Sequence, residues 1–341
     1  MPAHQPVESP DATTVFDYHD LTPPTLADVY AARAVVGRHL PRTPLVRSEP
    51  LSAELEAEVY LKREDTLPTG AFKVRGGLVL VHDLPAEFHD VGLIAASTGN
   101  HGQSVAYAGR VADVPVRIIV PEEANPAKVA AIERYGATVE HHGRDFDEAR
   151  EHAEALAEAE GFRYVHSANE PRLVAGVATA GLEVVEDRPE VDTVLVPVGG
   201  GSGASGYCLT AGRLAGARVI GVQSASADAL HRAFHEGHLE PQAATETFAE
   251  GLATRTPFAV TMGILREGLA DFLTVEDREL RRGIFDLLDR DGVLAEGAAA
   301  AGVAGARALG EELAGETVVI QVSGRNLSTG KLRSVLDEFG R

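Results

Sequence analysis

Residues 62–77 read KREDTLPTGAFKVRGG: a charged cluster, a Thr69-Gly70 turn, a lysine between Phe72 and Val74, and the Gly76-Gly77 pair. Of the 31 basic residues only Lys62, Lys73, Lys128 and Lys331 are lysines. A chain that uses arginine almost everywhere and keeps an amine at position 73 needs something a guanidinium cannot supply. An amine flanked by apolar side chains is partly desolvated, which lowers its pKa and suits it to imine formation and proton transfer. Within this segment alone, a surface lysine at the start of a helix accounts for the pattern equally well.

Three more segments share one design, an apolar strand running into small polar residues. STGNHGQ (97–103) follows the apolar run ending at Ala96 and precedes the helical SVAYAGRVA. Strand, loop and helix in that order aim backbone N–H groups and hydroxyls at an anion, and a substrate carboxylate suits the place. There Asn100 has the chemistry to bond an aromatic hydroxyl, while His101 reads as a structural partner before a catalytic base. In VPVGGGSGASG (196–206), Gly199, Gly200, Gly201, Ser202 and Gly203 let several N–H groups meet one phosphate with no side chain in the way. The spacing fits neither a P-loop nor the dinucleotide GxGxxG, and a plain tight turn stays open as the alternative. VVIQVSGRN (318–326) sets Ser323 at the carboxyl end of a strand, where open α/β sheets bind ligands, although a turn serine reads the same.

Around these segments, short β-branched runs alternate with alanine-rich helical stretches. Strands are expected at 59–62, 91–95, 116–120, 138–141, 194–198, 219–222 and 317–322, and helices at 125–135, 147–160 and 278–290. Thr25 and Asp28 form a capping box for a helix to about His39, and Pro41 ends it. Residues 1–20 read as a loosely held arm. Alternating strands and helices imply an α/β protein whose mostly parallel sheet is covered on both faces. With no low-complexity linker to divide the chain, a second domain has to be inserted, with crossings near residues 76 and 158.

Taken in order, TGAFKVRGG, STGNHGQ, GGGSG and VSGRN resemble the fold-type II pyridoxal-phosphate (PLP) enzymes, tryptophan synthase β-like, and within them the threonine/serine dehydratase branch. FAEGLA (248–253) and EGA (296–298) resemble later motifs of that branch. The resemblance implies two open, mostly parallel sheets flanked by helices. It also implies a large PLP-binding domain of residues 1–76 and 158–341, and a small inserted domain of residues 77–157 that closes over substrate. It implies that Lys73 holds the cofactor as a Schiff base next to Phe72, that Asn100 bonds the ring hydroxyl, and that Gly199, Gly200, Gly201, Ser202 and Gly203 hold the phosphate. Ser323 then faces the pyridine nitrogen; its hydroxyl is too weak an acid to protonate that nitrogen, which leaves a weaker electron sink and favours prompt loss of a β-leaving group. Ser97, Thr98, Gly99 and His101 would hold the substrate carboxylate, with Gly251 lining the pocket. The implied activity is dehydration and deamination of a hydroxyamino acid such as threonine or serine, by a homodimer or homotetramer.

Departures from the branch bear on rival activities. Thr98 stands where common dehydratases carry alanine or serine, and is reminiscent of threonine synthases acting on O-phosphohomoserine; a serine racemase would use a serine there as its second base. Gln223 and Ala229 occupy the places of a glutamate and an aspartate that bind a divalent cation in some members, so no metal is expected. The residues beyond about 330 are too few for a regulatory domain, and none is expected. Outside enzymes, a nucleotide-binding regulatory module is the competing use of the glycine loop.

Composition narrows the partners. A net charge of −20 repels nucleic acid, and together with scarce lysine it suggests adaptation to high salt. The amino terminus has no secretory pattern and no run is apolar enough for a membrane span, so a cytoplasmic protein is expected. The single cysteine, Cys208, reads as a small buried hydrophobe.

Overall fold

The computed structural model describes residues 21–237 and 246–340, so the arm expected at 1–20 lies outside the described residues. Two sheets organise the chain. The larger has the strand order β1-β2-β10-β7-β8-β9, from β1 (Leu45–Arg47), β2 (Glu58–Arg63), β7 (Thr193–Pro197), β8 (Arg218–Ser224), β9 (Asp271–Val275) and β10 (Thr317–Val322). The smaller has the order β5-β4-β3-β6, from β3 (Leu93–Ala96), β4 (Val116–Val120), β5 (Thr138–His141) and β6 (Arg163–Tyr164). Among the described strands every pairing is parallel except β1 with β2. All four strands of the smaller sheet come from one continuous stretch, whereas the larger sheet draws on both sides of it.

Burial on both faces explains the unbroken apolar runs. Along β7 and β10, Val194, Val196 and Val319 enter one core, while Leu195, Val318 and Ile320 enter the core on the opposite face. Strands β1, β6 and β9 were not expected. The first two have only three and two residues and exist through pairing with a neighbour, and β9 (DFLTV) lies at the sheet edge with partly open positions. The Thr25–Asp28 capping box starts the helix Leu26–His39 as read, and the helices Pro126–Glu133, Phe146–Glu160 and Asp277–Asp291 fall where helical periodicity put them.

The helix Val74–His82 begins immediately after Lys73 and lies between the helices Asn100–Ala112 and Pro171–Asp187. The Gly76-Gly77 pair permits that approach, since a Cβ at Gly76 would lie 2.7 Å from the Leu173 carbonyl oxygen. One turn of the same helix carries Arg75 into a buried ionic network. Arg75 Nε and Nη2 donate to Glu64 at 2.7 and 2.9 Å, and Nη1 and Nη2 donate to Glu183 at 2.8 and 3.0 Å. Lys62 Nζ donates to Glu183 at 2.6 Å and to the Thr43 carbonyl at 2.9 Å. Burial pushes the Glu183 carboxyl up, but Arg75 and Lys62 outweigh it and hold the pKa at about 2. The network fastens the Lys73 turn to β2 and to the helix Pro171–Asp187.

Candidate active site

Lys73 sits on a turn held at both ends by the carboxyl end of β10. Phe72 N–H donates to the Ser323 carbonyl at 3.0 Å, Arg325 N–H donates to the Gly70 carbonyl at 2.9 Å, and Ala71 pairs with Gly324. The lysine Nζ lies 3.2 Å from Ser202 Oγ and 3.2 Å from the Ser167 carbonyl oxygen. Among the described residues no carboxylate pairs with it, and desolvation lowers its pKa from 10.5 to about 8. Three of the expected groups, Lys73, the glycine loop and Ser323, thereby meet at the carboxyl edge of the larger sheet.

The glycine loop follows β7. At Gly199 an added Cβ would collide with the Gly251 carbonyl, and Gly201 adopts φ +90°, which favours glycine. Beyond it, Gly203 faces the Phe72 ring, 3.3 Å from where its Cβ would stand. Gln321, one strand repeat before Ser323, is buried beside Gly203, and among the described residues neither its amide oxygen nor its nitrogen has a partner. A side-chain-free loop, a partly desolvated amine and an orphaned amide fit a phosphate-bearing carbonyl cofactor: Lys73 for the carbonyl, the loop for the phosphate.

STGN opens from the smaller sheet toward the same edge. Ser97, Thr98, Gly99 and Asn100 all stay partly exposed between the buried ends of β3 and the helix Asn100–Ala112. Ser97 Oγ accepts from the Gly99 N–H at 3.1 Å. Asn100 Nδ2 donates to Glu296 Oε1 at 2.7 Å, and Asn100 Oδ1 accepts from Asn326 Nδ2 at 2.6 Å. Burial pushes the Glu296 carboxyl up to about 7, against the pull of Asn100, Lys128 and Lys331. In the sequence Glu296 is visible only as part of the EGA motif, and its contact with Asn100 across 196 positions has no local signal.

His101 turns its ring inward. Its Nε2 lies 3.0 Å from the Val165 carbonyl, and burial with the Lys73 charge lowers its pKa to about 4. The imidazole is therefore neutral, and what His101 can offer a carboxylate is its backbone N–H. His166, which no sequence motif singles out, accepts from the Ala168 and Asn169 N–H groups through Nδ1 at 2.9 and 2.8 Å. Burial and the nearby His101 lower its pKa to about 3, so its proton resides on Nε2. Cys208 is buried, and its thiol is pushed up to about 12.

Two further lysines meet near Gly251. Lys128, on the helix Pro126–Glu133, and Lys331, on the helix Thr329–Phe339, both pair with Glu250.

A family model described as pyridoxal-phosphate dependent enzyme matches residues 36–324. An L-threonine ammonia-lyase from Geobacter sulfurreducens is 37% identical over 88% of this chain and 74% of its own length. An L-threo-3-hydroxyaspartate ammonia-lyase from Saccharomyces cerevisiae is 33% identical over 92% of this chain and 96% of its own. Among solved structures, maize serine racemase superposes with a TM-score of 0.87 at 26% identity, covering 93% of this chain and 98% of that one.

Proposed function

Because this chain belongs to the pyridoxal-phosphate-dependent enzyme family, we propose that it is a lyase that expels the β-hydroxyl of a small hydroxyamino acid as water, ending in a 2-oxo acid and ammonia. The observation that carries this is the uncharged-prone Lys73 amine beside Ser202 of the glycine loop, in a chain matched along most of its length by ammonia-lyases. Pyridoxal phosphate is the cofactor; when bound, it accepts the electrons left on the substrate α-carbon.

Lys73 is the residue assigned to hold the cofactor covalently and, once displaced by the substrate amine, to take the α-proton. Phe72 packs beside the cofactor, Gly199, Gly200, Gly201, Ser202 and Gly203 hold its phosphate, Asn100 bonds its ring hydroxyl and Ser323 faces its pyridine nitrogen. The substrate carboxylate is assigned to Ser97, Thr98, Gly99 and the His101 N–H, with Gly251 as a wall. Residues 77–157 form the small domain that closes the cleft and excludes water. Supporting that closure, Lys128 with Glu250, and Arg255 with Asp147 at 2.6 Å, are ion pairs joining this stretch to the Glu250–Arg255 loop.

The likeness to maize serine racemase keeps a second reading, amino-acid racemisation, in which a second base opposite Lys73 is needed. Thr98 is a poor replacement for a serine base, which ranks this reading below elimination. Supplied with PLP and offered L-threonine, L-serine, L-threo-3-hydroxyaspartate and O-phosphohomoserine, the enzyme is expected to release 2-oxo acid and ammonia from at least one of the first three. D-serine accumulating without oxo acid would mean a racemase, and threonine made from O-phosphohomoserine would mean a threonine synthase.

A cytoplasmic, homo-oligomeric protein adapted to high salt completes the proposal. Among the described residues no helix is long and apolar enough to cross a membrane. With a net charge of −20, self-repulsion weakens once the screening length shrinks to about 3 Å in molar salt. The thermal unfolding midpoint is therefore expected to climb between dilute buffer and molar potassium chloride; a flat or falling midpoint would remove the salt-adaptation reading.

A further inference from the structure

Asn100 has its amide orientation settled by its neighbours. Asn326 Nδ2 faces the Thr69 carbonyl at 2.9 Å, an oxygen that only accepts, so the Asn326 nitrogen is assigned without ambiguity. The atom of Asn100 that meets this nitrogen at 2.6 Å must then be its oxygen, which leaves its nitrogen facing Glu296 at 2.7 Å. One N–H of Asn100 is taken by the carboxylate and one stays available. A flipped Asn100 would put donor against donor at Asn326 and acceptor against acceptor at an ionised Glu296.

Glu296 is itself held in place. Its backbone N–H donates to the Gly324 carbonyl at 3.0 Å, and its carboxylate also accepts from the Asn326 backbone N–H. The charged groups acting on it are Lys128, from the helix Pro126–Glu133, and Lys331, from the helix Thr329–Phe339. Glu250 pairs with both of those lysines, and Asp277 acts on Lys331. The carboxyl thus stands one hydrogen bond from the amide that faces the cofactor, in surroundings that let it change charge near neutral pH.

We propose that Glu296 is a positioning residue for the cofactor: it holds Asn100 as a donor to the ring oxygen, and its own charge governs whether the chromophore's mobile proton sits on that oxygen or on the lysine-linked nitrogen. This rests on the reading that Asn100 faces the ring hydroxyl. When Glu296 is neutral, the free Asn100 N–H is a strong donor and favours an anionic ring oxygen, the form that absorbs visible light. When Glu296 ionises, its negative charge weakens that donor and repels an anionic oxygen, so the proton moves to the oxygen and absorption moves to the near ultraviolet.

The test is an absorbance titration of the holoenzyme, without substrate, from mildly acidic to mildly alkaline pH. The visible band is expected to fall and the near-ultraviolet band to rise with a midpoint near the Glu296 pKa of about 7. In Glu296→Gln the transition should vanish. In Lys128→Ala, which keeps Glu296 and removes a cation that favours its charge, the midpoint should move upward by roughly half a pH unit. A Glu296→Gln protein that titrates like the wild type, or a Lys128→Ala midpoint that stays put or falls, overturns the proposal. Absence of any cofactor band in the wild type would instead overturn the PLP reading itself, so the two failures are distinct.

Discussion

The Lys73→Ala protein is expected to lose 2-oxo acid and ammonia formation by about a thousandfold or more, the scale on which a positioned acid–base group contributes. Desolvation accounts for much of the size of the effect. With its pKa lowered from 10.5 to about 8, Lys73 is uncharged in roughly one molecule in ten at pH 7, against about one in three thousand for an ordinary lysine. None of the described groups nearby can replace it. His101 and His166 are neutral rings with pKa values lowered to about 4 and about 3; His101 Nε2 faces the Val165 carbonyl and His166 Nδ1 accepts from the Ala168 and Asn169 N–H groups. Two readouts decide the matter: oxo acid release, and retention of a visible chromophore after exhaustive dialysis. A variant that kept both would remove Lys73 from the chemistry.

A second large effect is expected away from the cleft. Arg75→Leu should destabilise the fold by about 3–5 kcal/mol, the range for removing one partner from a buried ion pair. The substitution leaves Glu64 and Glu183 buried, with Lys62 still bonded to Glu183. Against a total stability of about 5–15 kcal/mol, such a loss is enough to reduce the yield of folded protein. Its pH dependence has a definite sign. Glu183 is held at about 2 against an ordinary value of 4.5, so its contribution is complete above pH 4.5 and is lost as pH falls toward 2. In Arg75→Leu much of that contribution disappears, so the deficit relative to the wild type should be largest above pH 4.5 and shrink as pH falls toward 2. Denaturant unfolding at neutral pH and a pH titration of the unfolding midpoint check both points; an unchanged midpoint would mean that the network adds no net stability.

The site is partly legible in the sequence because its pieces are local. Lysine is so scarce here that position 73 stands out, and strand-then-glycine or strand-then-serine segments carry a backbone geometry that composition reveals. The scarcity of lysine has a wider meaning in three dimensions, since Lys128 and Lys331 meet at Glu250 and Lys62 serves the buried network. The neutral His166 and the inward turn of the His101 ring depend on carbonyl and N–H groups of the loop after β6, a strand too short to register in any pattern.

By itself the sequence determined the alternation of strands and helices, the capped first helix, the four candidate site segments and the isolated lysine at position 73, because each is written within a dozen neighbouring residues. Only the tertiary structure decided that Asn100 answers to Glu296 and Asn326, that Arg75 is an interior cation, and that two lysines from separate helices share one glutamate. Apart from the Arg75–Glu64 bonds, which span 11 positions, those contacts join positions 81 to 226 residues apart. Their energies come from burial and exclusion of water, and neither exists until the two sheets have packed.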